Sequence, residues 1–78
     1  MQRPPLRTLS FFEAAARCGS FRIAAQELHI TTSAVSHQIR KLETFVGKPL
    51  FVRHSRGVKL TIEGAAYFEA IRAAYERI

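Results

Sequence analysis

Three breaks in the chain constrain its fold more than any other feature: Gly19-Ser20, His29-Ile30-Thr31 and Gly47-Lys48-Pro49. Glycine ends a helix by taking the left-handed backbone conformation, and serine or threonine starts the next by accepting from its first free amides. The breaks leave three stretches of helix length after Pro4-Pro5, whose rings favour an extended lead-in. Each stretch carries an apolar stripe at helical spacing. The first is Leu6, Leu9, Phe12 and Ala16; the second is Phe21, Ala24, Ala25 and Leu28, capped by Ser20. The third is Val35, Ile39, Leu42 and Val46, with Thr31 or Thr32 as its cap. Beyond Pro49 the pattern changes. Leu50-Phe51-Val52-Arg53 and Val58-Lys59-Leu60 are β-prone runs on either side of the turn Ser55-Arg56-Gly57, a small hairpin or wing. Thr61 then caps a last helix, with Glu63 in its first turn, where the macrodipole favours negative charge.

This order predicts a mainly α chain: a winged helix-turn-helix with a three-helix core and a two-stranded wing, followed by a long linker helix. In such motifs the second helix of the pair enters the major groove of DNA. With 78 residues the chain is one domain of marginal stability.

Charge agrees with a polyanionic partner. Twelve Lys and Arg stand against six acids, for a net charge of +6. The excess is uneven: residues 50–60 carry Arg53, Arg56 and Lys59 with no acid, whereas residues 61–78 carry more acids than bases. The last helix therefore has a different job. Cys18 is the sole cysteine, which excludes an internal disulfide and a cysteine-rich zinc site. No apolar run approaches the roughly 18 residues of a membrane span, and Met1-Gln2-Arg3-Pro4-Pro5 lacks a secretory apolar segment. A reducing, cytosolic setting is expected, with no membrane partner.

The third helix is two-faced. With Val35 at zero, Ile39, Leu42 and Val46 fall within about 40° of it, while Ser33, His37 and Arg40 fall about 140° to 200° away. Ser36 and Lys41 flank that far side. One face is a core seam. The other is polar near the N-terminus and basic further along, with no acid at its centre. Short hydrogen-bonding groups suit base edges, and later cations suit phosphates. A merely solvated helix face is the alternative for any polar stripe. The tight turn before it and the basic hairpin after it favour recognition.

At this point the sequence resembles the DNA-binding domain of LysR-type transcriptional regulators, from about Leu6 to Gly64. The resemblance rests on Leu9-x-x-Phe12, Gly19-Ser20-Phe21-x-x-Ala24-Ala25-x-x-Leu28, and Thr31-x-x-Ala34-Val35-Ser36-x-Gln38-Ile39-x-x-Leu42-Glu43. It continues through Leu50-Phe51-x-Arg53 and Leu60-Thr61-x-x-Gly64. The runs Phe12 to Arg17 and Ala34 to Ile39 look most like the glycine-cleavage activator branch, which includes β-lactamase regulators.

The resemblance implies a DNA-binding domain at 4–61, with a helix-turn-helix at about 21–40, a recognition helix at about 32–46 and a wing at about 50–60. Base readers map to Thr32, Ser33, Ser36 and His37, with Arg56 of the wing in the adjacent minor groove. Phosphate contacts fall to Thr31, Arg40, Lys41, Arg53 and Lys59. Glu43 and Arg53 are expected as the ion pair that anchors the wing. The chain departs from many members at Thr32-Ser33, His37 and Ile62, where Gln-Pro, Arg and Pro are common, so its preferred bases cannot be copied from a relative.

Phe68, Ile71, Tyr75 and Ile78 are spaced 3, 4 and 3, an a/d seam at 62–78 that needs cover. The alternatives are packing back on the helical core and pairing with a second subunit. In the resembled family this linker helix pairs into a homodimer, with a tetramer open to the full-length protein. The dimer would sit on a pseudo-palindromic operator of double-stranded DNA. Members of the resembled family continue into an effector-binding domain for a small molecule, which is missing here. The chain therefore reads as a piece of a longer bacterial regulator, cytoplasmic and nucleoid-associated, with a stand-alone small regulator as the alternative.

No enzyme is expected. Ser36 and His37 are neighbours, and adjacent helical residues point about 100° apart. His29, His37 and His54, even with Cys18, lack metal-ligand spacing, so neither metal nor cofactor is expected. Phe11, Phe12, Phe21 and Phe51 lie on core stripes rather than on a base-stacking platform, which argues against a single-stranded nucleic-acid binder. A dimerising protein-interaction module with a basic face for solubility is the other alternative, and duplex binding at low salt separates it.

Overall fold

The computed structural model of the chain describes residues 6–76, without the side chains of Leu6 and Tyr75. The Pro4-Pro5 lead-in and Ile78 lie outside the described residues, as do the side chains of Leu6 in the first stripe and Tyr75 in the last. The elements are α1 (Leu6–Cys18), α2 (Phe21–Leu28), α3 (Thr32–Val46), β1 (Phe51–His54), β2 (Gly57–Leu60) and α4 (Ile62–Glu76).

The caps sit at the sequence breaks. Ser20 Oγ accepts from the Ile23 amide at 3.1 Å, and Thr31 Oγ1 accepts from the Ala34 amide at 3.0 Å. Thr31 is therefore the cap and Thr32 the first residue of α3. Gly19 and Gly47 follow α1 and α3 with φ of 65° and 82°. The tight turn after α2 is made differently. His29 takes φ 59°, a left-handed conformation that costs a side-chain-bearing residue on the order of 1–2 kcal/mol. The bend lets the Ile30 amide reach the Ala25 carbonyl at 3.0 Å and folds Ile30 onto the core. A hydrogen bond and a buried contact thus offset the strain.

Phe12 is fully buried at the centre of the core. Its ring lies 5.4 Å from Phe51, 5.6 Å from Tyr67 and 6.3 Å from Phe68, so α1, β1 and α4 meet around one side chain. Phe11, Ala14 and Ala15 are buried as well, while Leu9 and Ala16 of the expected stripe are only half-buried. The reason is position. α1 packs against α2, α3, α4 and β2, so it buries more of its circumference than one stripe. Thr8 is also buried and donates to Gln38 Oε1 at 3.1 Å, tying α1 to α3.

β1 and β2 are antiparallel in the register Phe51↔Leu60, Val52↔Lys59, Arg53↔Val58 and His54↔Gly57. The wing is docked at both ends. The Val58 amide donates to the Gly19 carbonyl at 3.0 Å, and a Cβ on Gly57 would meet that same carbonyl oxygen at 2.2 Å. Thr61 Oγ1 donates to the Pro49 carbonyl at 2.8 Å and accepts from the Gly64 amide at 2.9 Å, joining the wing to α4.

Two sequence expectations change. Glu43 and Arg53 take other partners in place of their expected ion pair. The Glu43 carboxylate accepts from the Leu50 and Phe51 amides at 2.8 and 3.3 Å, because these are free donors where β1 begins. The α4 seam is divided: Ile71 is buried and Phe68 half-buried against the chain's own core, where the Phe68 ring lies 6.3 Å from that of Phe12 and α4 packs on α1 and β2. Among the described residues no helix is long and apolar enough to cross a membrane.

Candidate nucleic-acid interface

The start of α3 stands clear of the core. Val35, Ile39 and Leu42 hold one side of the helix inside, which turns Thr31, Thr32, Ser33, His37, Arg40 and Lys41 to solvent. Ser36 is half-buried, nearer the wing than the middle of the open face. Thr31 Oγ1 accepts from the helix, so its hydroxyl proton is left to donate outward. No acid lies on the open face of the first two turns, and the first acid on α3, Glu43, is turned to the β1 amides.

The wing flanks this face. Directly opposed residues of an antiparallel pair share a side of the sheet, and successive residues alternate. Phe51, Arg53, Val58 and Leu60 therefore face the helices, while Val52, His54 and Lys59 face away. Arg53 and Lys59, equal as wing cations in the sequence, occupy opposite sides. Arg56 is exposed in the two-residue turn, and its backbone amide donates to His54 Nδ1 at 3.3 Å, which braces the tip.

Between the wing, the start of α2 and the start of α3 runs a cleft of about 410 Å³. Ser20, Arg22, Thr32, Arg53 and Arg56 are among the side chains lining it. It brings together residues from three segments, with no acid among its lining residues. Arg22 was missed from sequence. Its signal was its place in the first turn of α2, where free amides and the positive helix end already favour an anion. Further along α3, His37, Arg40, Lys41, Thr44 and the exposed ring of Phe45 line a second, open hollow. Phe45 was also missed, because it lies off the apolar stripe.

Behind the site a polar clasp joins α1 to α2. Arg17 donates to Glu13 at 3.0 Å and to both carboxylate oxygens of Glu27. These bonds, the one to Glu27 first, raise the Arg17 guanidinium above its ordinary range, and Arg17 holds the Glu27 carboxyl below the usual carboxylate range. Burial, and then Glu27, push the Cys18 thiol up; the side chain packs at the core boundary. Among the described residues no three metal-ligating side chains gather.

Residues 6–65 match the family described as bacterial regulatory helix-turn-helix protein, lysR family. The chain is 49% identical over 75 residues to the glycine cleavage system transcriptional activator of Escherichia coli strain K12, covering 96% of this chain and 25% of that protein. It is 51% identical over 75 residues to the homolog in Haemophilus influenzae, with the same coverage. The chain thus spans about a quarter of the length of these curated relatives. Among solved structures it is similar to the crystal structure of the CbnR_DBD-DNA complex, with a TM-score of 0.86 and 35% identity over 92% of this chain and 83% of that one. It is similar also to the BenM_DBD/catB site 1 DNA complex, with a TM-score of 0.87 and 36% identity over 94% of this chain and 82% of that one.

Proposed function

The chain belongs to the LysR family of bacterial regulatory helix-turn-helix proteins, and from that membership we propose that it binds double-stranded DNA in a sequence-specific manner. In this reading α3 enters the major groove, and the wing lies over the minor groove and backbone. Thr32, Ser33, Ser36 and His37 contact base edges, and Arg56 reaches the minor groove. Thr31, Arg40, Lys41 and Lys59 meet phosphates. Arg22 joins them on the side of α2. The observation that carries the reading is the open, acid-free start of α3 beside a cationic cleft shared with the wing. Relatives named as transcriptional activators and neighbours solved as DNA complexes support it.

The longer protein acts as a transcription regulator rather than an enzyme, in the cytoplasm and on the nucleoid. It pairs as a homodimer through α4 on a pseudo-palindromic operator, and a small-molecule effector binds a separate C-terminal domain. The dimer surface is the exposed alanine side of α4, at Ala66, Ala70 and Ala73, since Phe68 and Ile71 are already used within the subunit.

The deciding experiment is selection of bound duplexes from a random pool, followed by a salt titration on the winning sequence. The expected result is an enriched motif whose affinity falls steeply with salt. Replacing one phosphate-contacting cation, for example Lys41→Ala, reduces the magnitude of the salt slope by about 1. Binding without sequence enrichment, or no binding at low salt, overturns the reading.

A further inference from the structure

We propose that Arg53 is a positioning residue for Ser36: by occupying one of its lone pairs it biases the Ser36 hydroxyl toward donating outward, so this position favours base edges that carry an acceptor. The inference deepens the DNA-binding reading above and rests on it.

The pleat turns Arg53 toward the helices, unlike Lys59. Its guanidinium carbon lies 5.4 Å from the centre of the Phe21 ring, and Nη2 donates to Ser36 Oγ at 3.4 Å. Phe21 is buried at the start of α2, so the ring is a fixed platform. The exposed Arg53 side chain lines a small hollow together with Phe21, Ser36, Ile39, Arg40, Glu43 and Phe51. Glu43, the acid in that hollow, is engaged by the Leu50 and Phe51 amides, which leaves Arg53 to the ring and the hydroxyl.

The chemistry then has one direction. A guanidinium carries donors and no acceptor, so Arg53 takes a lone pair of Ser36 and cannot take its proton. Thr44 on the same helix spends its hydroxyl proton on the Arg40 carbonyl at 3.0 Å. Ser36 makes no such bond among the described residues. Its proton is therefore free to be donated to whatever enters the groove. In the major groove guanine and adenine offer N7, guanine also O6, and thymine O4, whereas cytosine offers an amino donor. With its proton unspent and one of its two lone pairs taken by a cation, Ser36 favours these acceptors over the amino donor of cytosine. A lysine in place of Arg53 keeps the positive charge, but it loses the flat group that stacks on Phe21 while donating sideways.

The test is duplex selection with the parent chain, Arg53→Lys, Ser36→Ala and the double variant, each checked for folding by circular dichroism. The expected parent motif disfavours cytosine at one position. Arg53→Lys relaxes that preference about three- to tenfold at that position alone, the weight of one hydrogen bond. On the Ser36→Ala background the same substitution leaves that position unchanged. A uniform loss across all sequences makes Arg53 a simple phosphate contact and overturns the proposal. So does a parent preference for cytosine at the position lost in Ser36→Ala. A parent with no preferred sequence overturns the DNA-binding reading itself, which separates the two failures. If Arg53→Lys does not fold, the acceptor is removed from the DNA instead, with a 7-deazapurine or 5-methyl-2-pyrimidinone at that position. Weaker binding by the parent but not by Ser36→Ala supports the assignment, and equal losses overturn it.

Discussion

α3 and α4 are both 15-residue helices, and each carries apolar residues three and four apart. Their fates differ. The α3 stripe is buried within the subunit at Val35, Ile39 and Leu42, with Val46 half-buried at the end. The α4 stripe is covered at Ile71 and partly at Phe68, and on its other side Ala65, Ala66, Ala70, Ala73 and Ala74 are exposed. α3 lies against two helices, and its remaining face is polar. α4 meets the core from Gly64 to Ile71, and its last turn runs past it. One stripe is satisfied inside the fold and leaves a face free to read a ligand. The other is satisfied in part and leaves a face suited to a close-packed copy.

The largest expected effects break this comparison directly. Ile39→Ala should cost about 2–5 kcal/mol in urea unfolding, as a fully buried truncation does. Phe68→Ala, at a side chain that keeps some exposure, should cost less, about 1–3 kcal/mol. Equal losses would mean that α4 is as integral to the core as α3.

The two helices also use glycine for opposite reasons. A Cβ on Gly64 would sit 2.1 Å from the Leu50 carbonyl oxygen, so Gly64→Ala should cost about 1–3 kcal/mol through overpacking. Gly47 has open space but a φ of 82°. Gly47→Ala should cost about 1 kcal/mol through backbone strain, and Gly47→Asn should recover part of it. Thermal unfolding of the three variants sharpens the contrast between a packing glycine and a turn glycine.

On the open faces the substitutions should leave the fold alone. Ser33→Ala and His37→Ala should each cost about 1–3 kcal/mol in affinity for the selected duplex. Their stability should change by less than about 0.5 kcal/mol. Ala70→Glu on α4 should lower the dimer fraction in ultracentrifugation without lowering the affinity of one subunit for a half-site. Ile71→Glu, the obvious seam test from sequence, would instead place a charge in the core.

The smallest effect lies in the clasp between α1 and α2, outside α3 and α4, and serves as a control. Arg17 keeps the Glu27 carboxyl below its ordinary range, so the clasp adds stability above the unfolded glutamate pKa of about 4.3. That contribution is lost as pH falls through the lowered value. The gap in urea midpoint between the parent and Glu27→Gln should be small at neutral pH, because both partners are exposed. It should close in acid. A gap that widened in acid would contradict the assignment.

Much of this molecule was legible in one dimension. Caps and stops are local, so Ser20, Thr31, Gly19, Gly47 and Thr61 marked the helix ends directly. Periodicity identified the buried side of α3, and its opposite side followed as the open face. Tertiary structure decided what depends on several segments meeting. Phe12 became the hub because α1 is surrounded. Glu43 turned to backbone amides because β1 starts within its reach. Arg53 and Lys59 parted because the pleat alternates and the wing docks on Gly19. Ile71 was covered at home because α4 packs one side on α1 and β2. A spacing fixes which side chains share a face, but only the packed chain determines what that face meets.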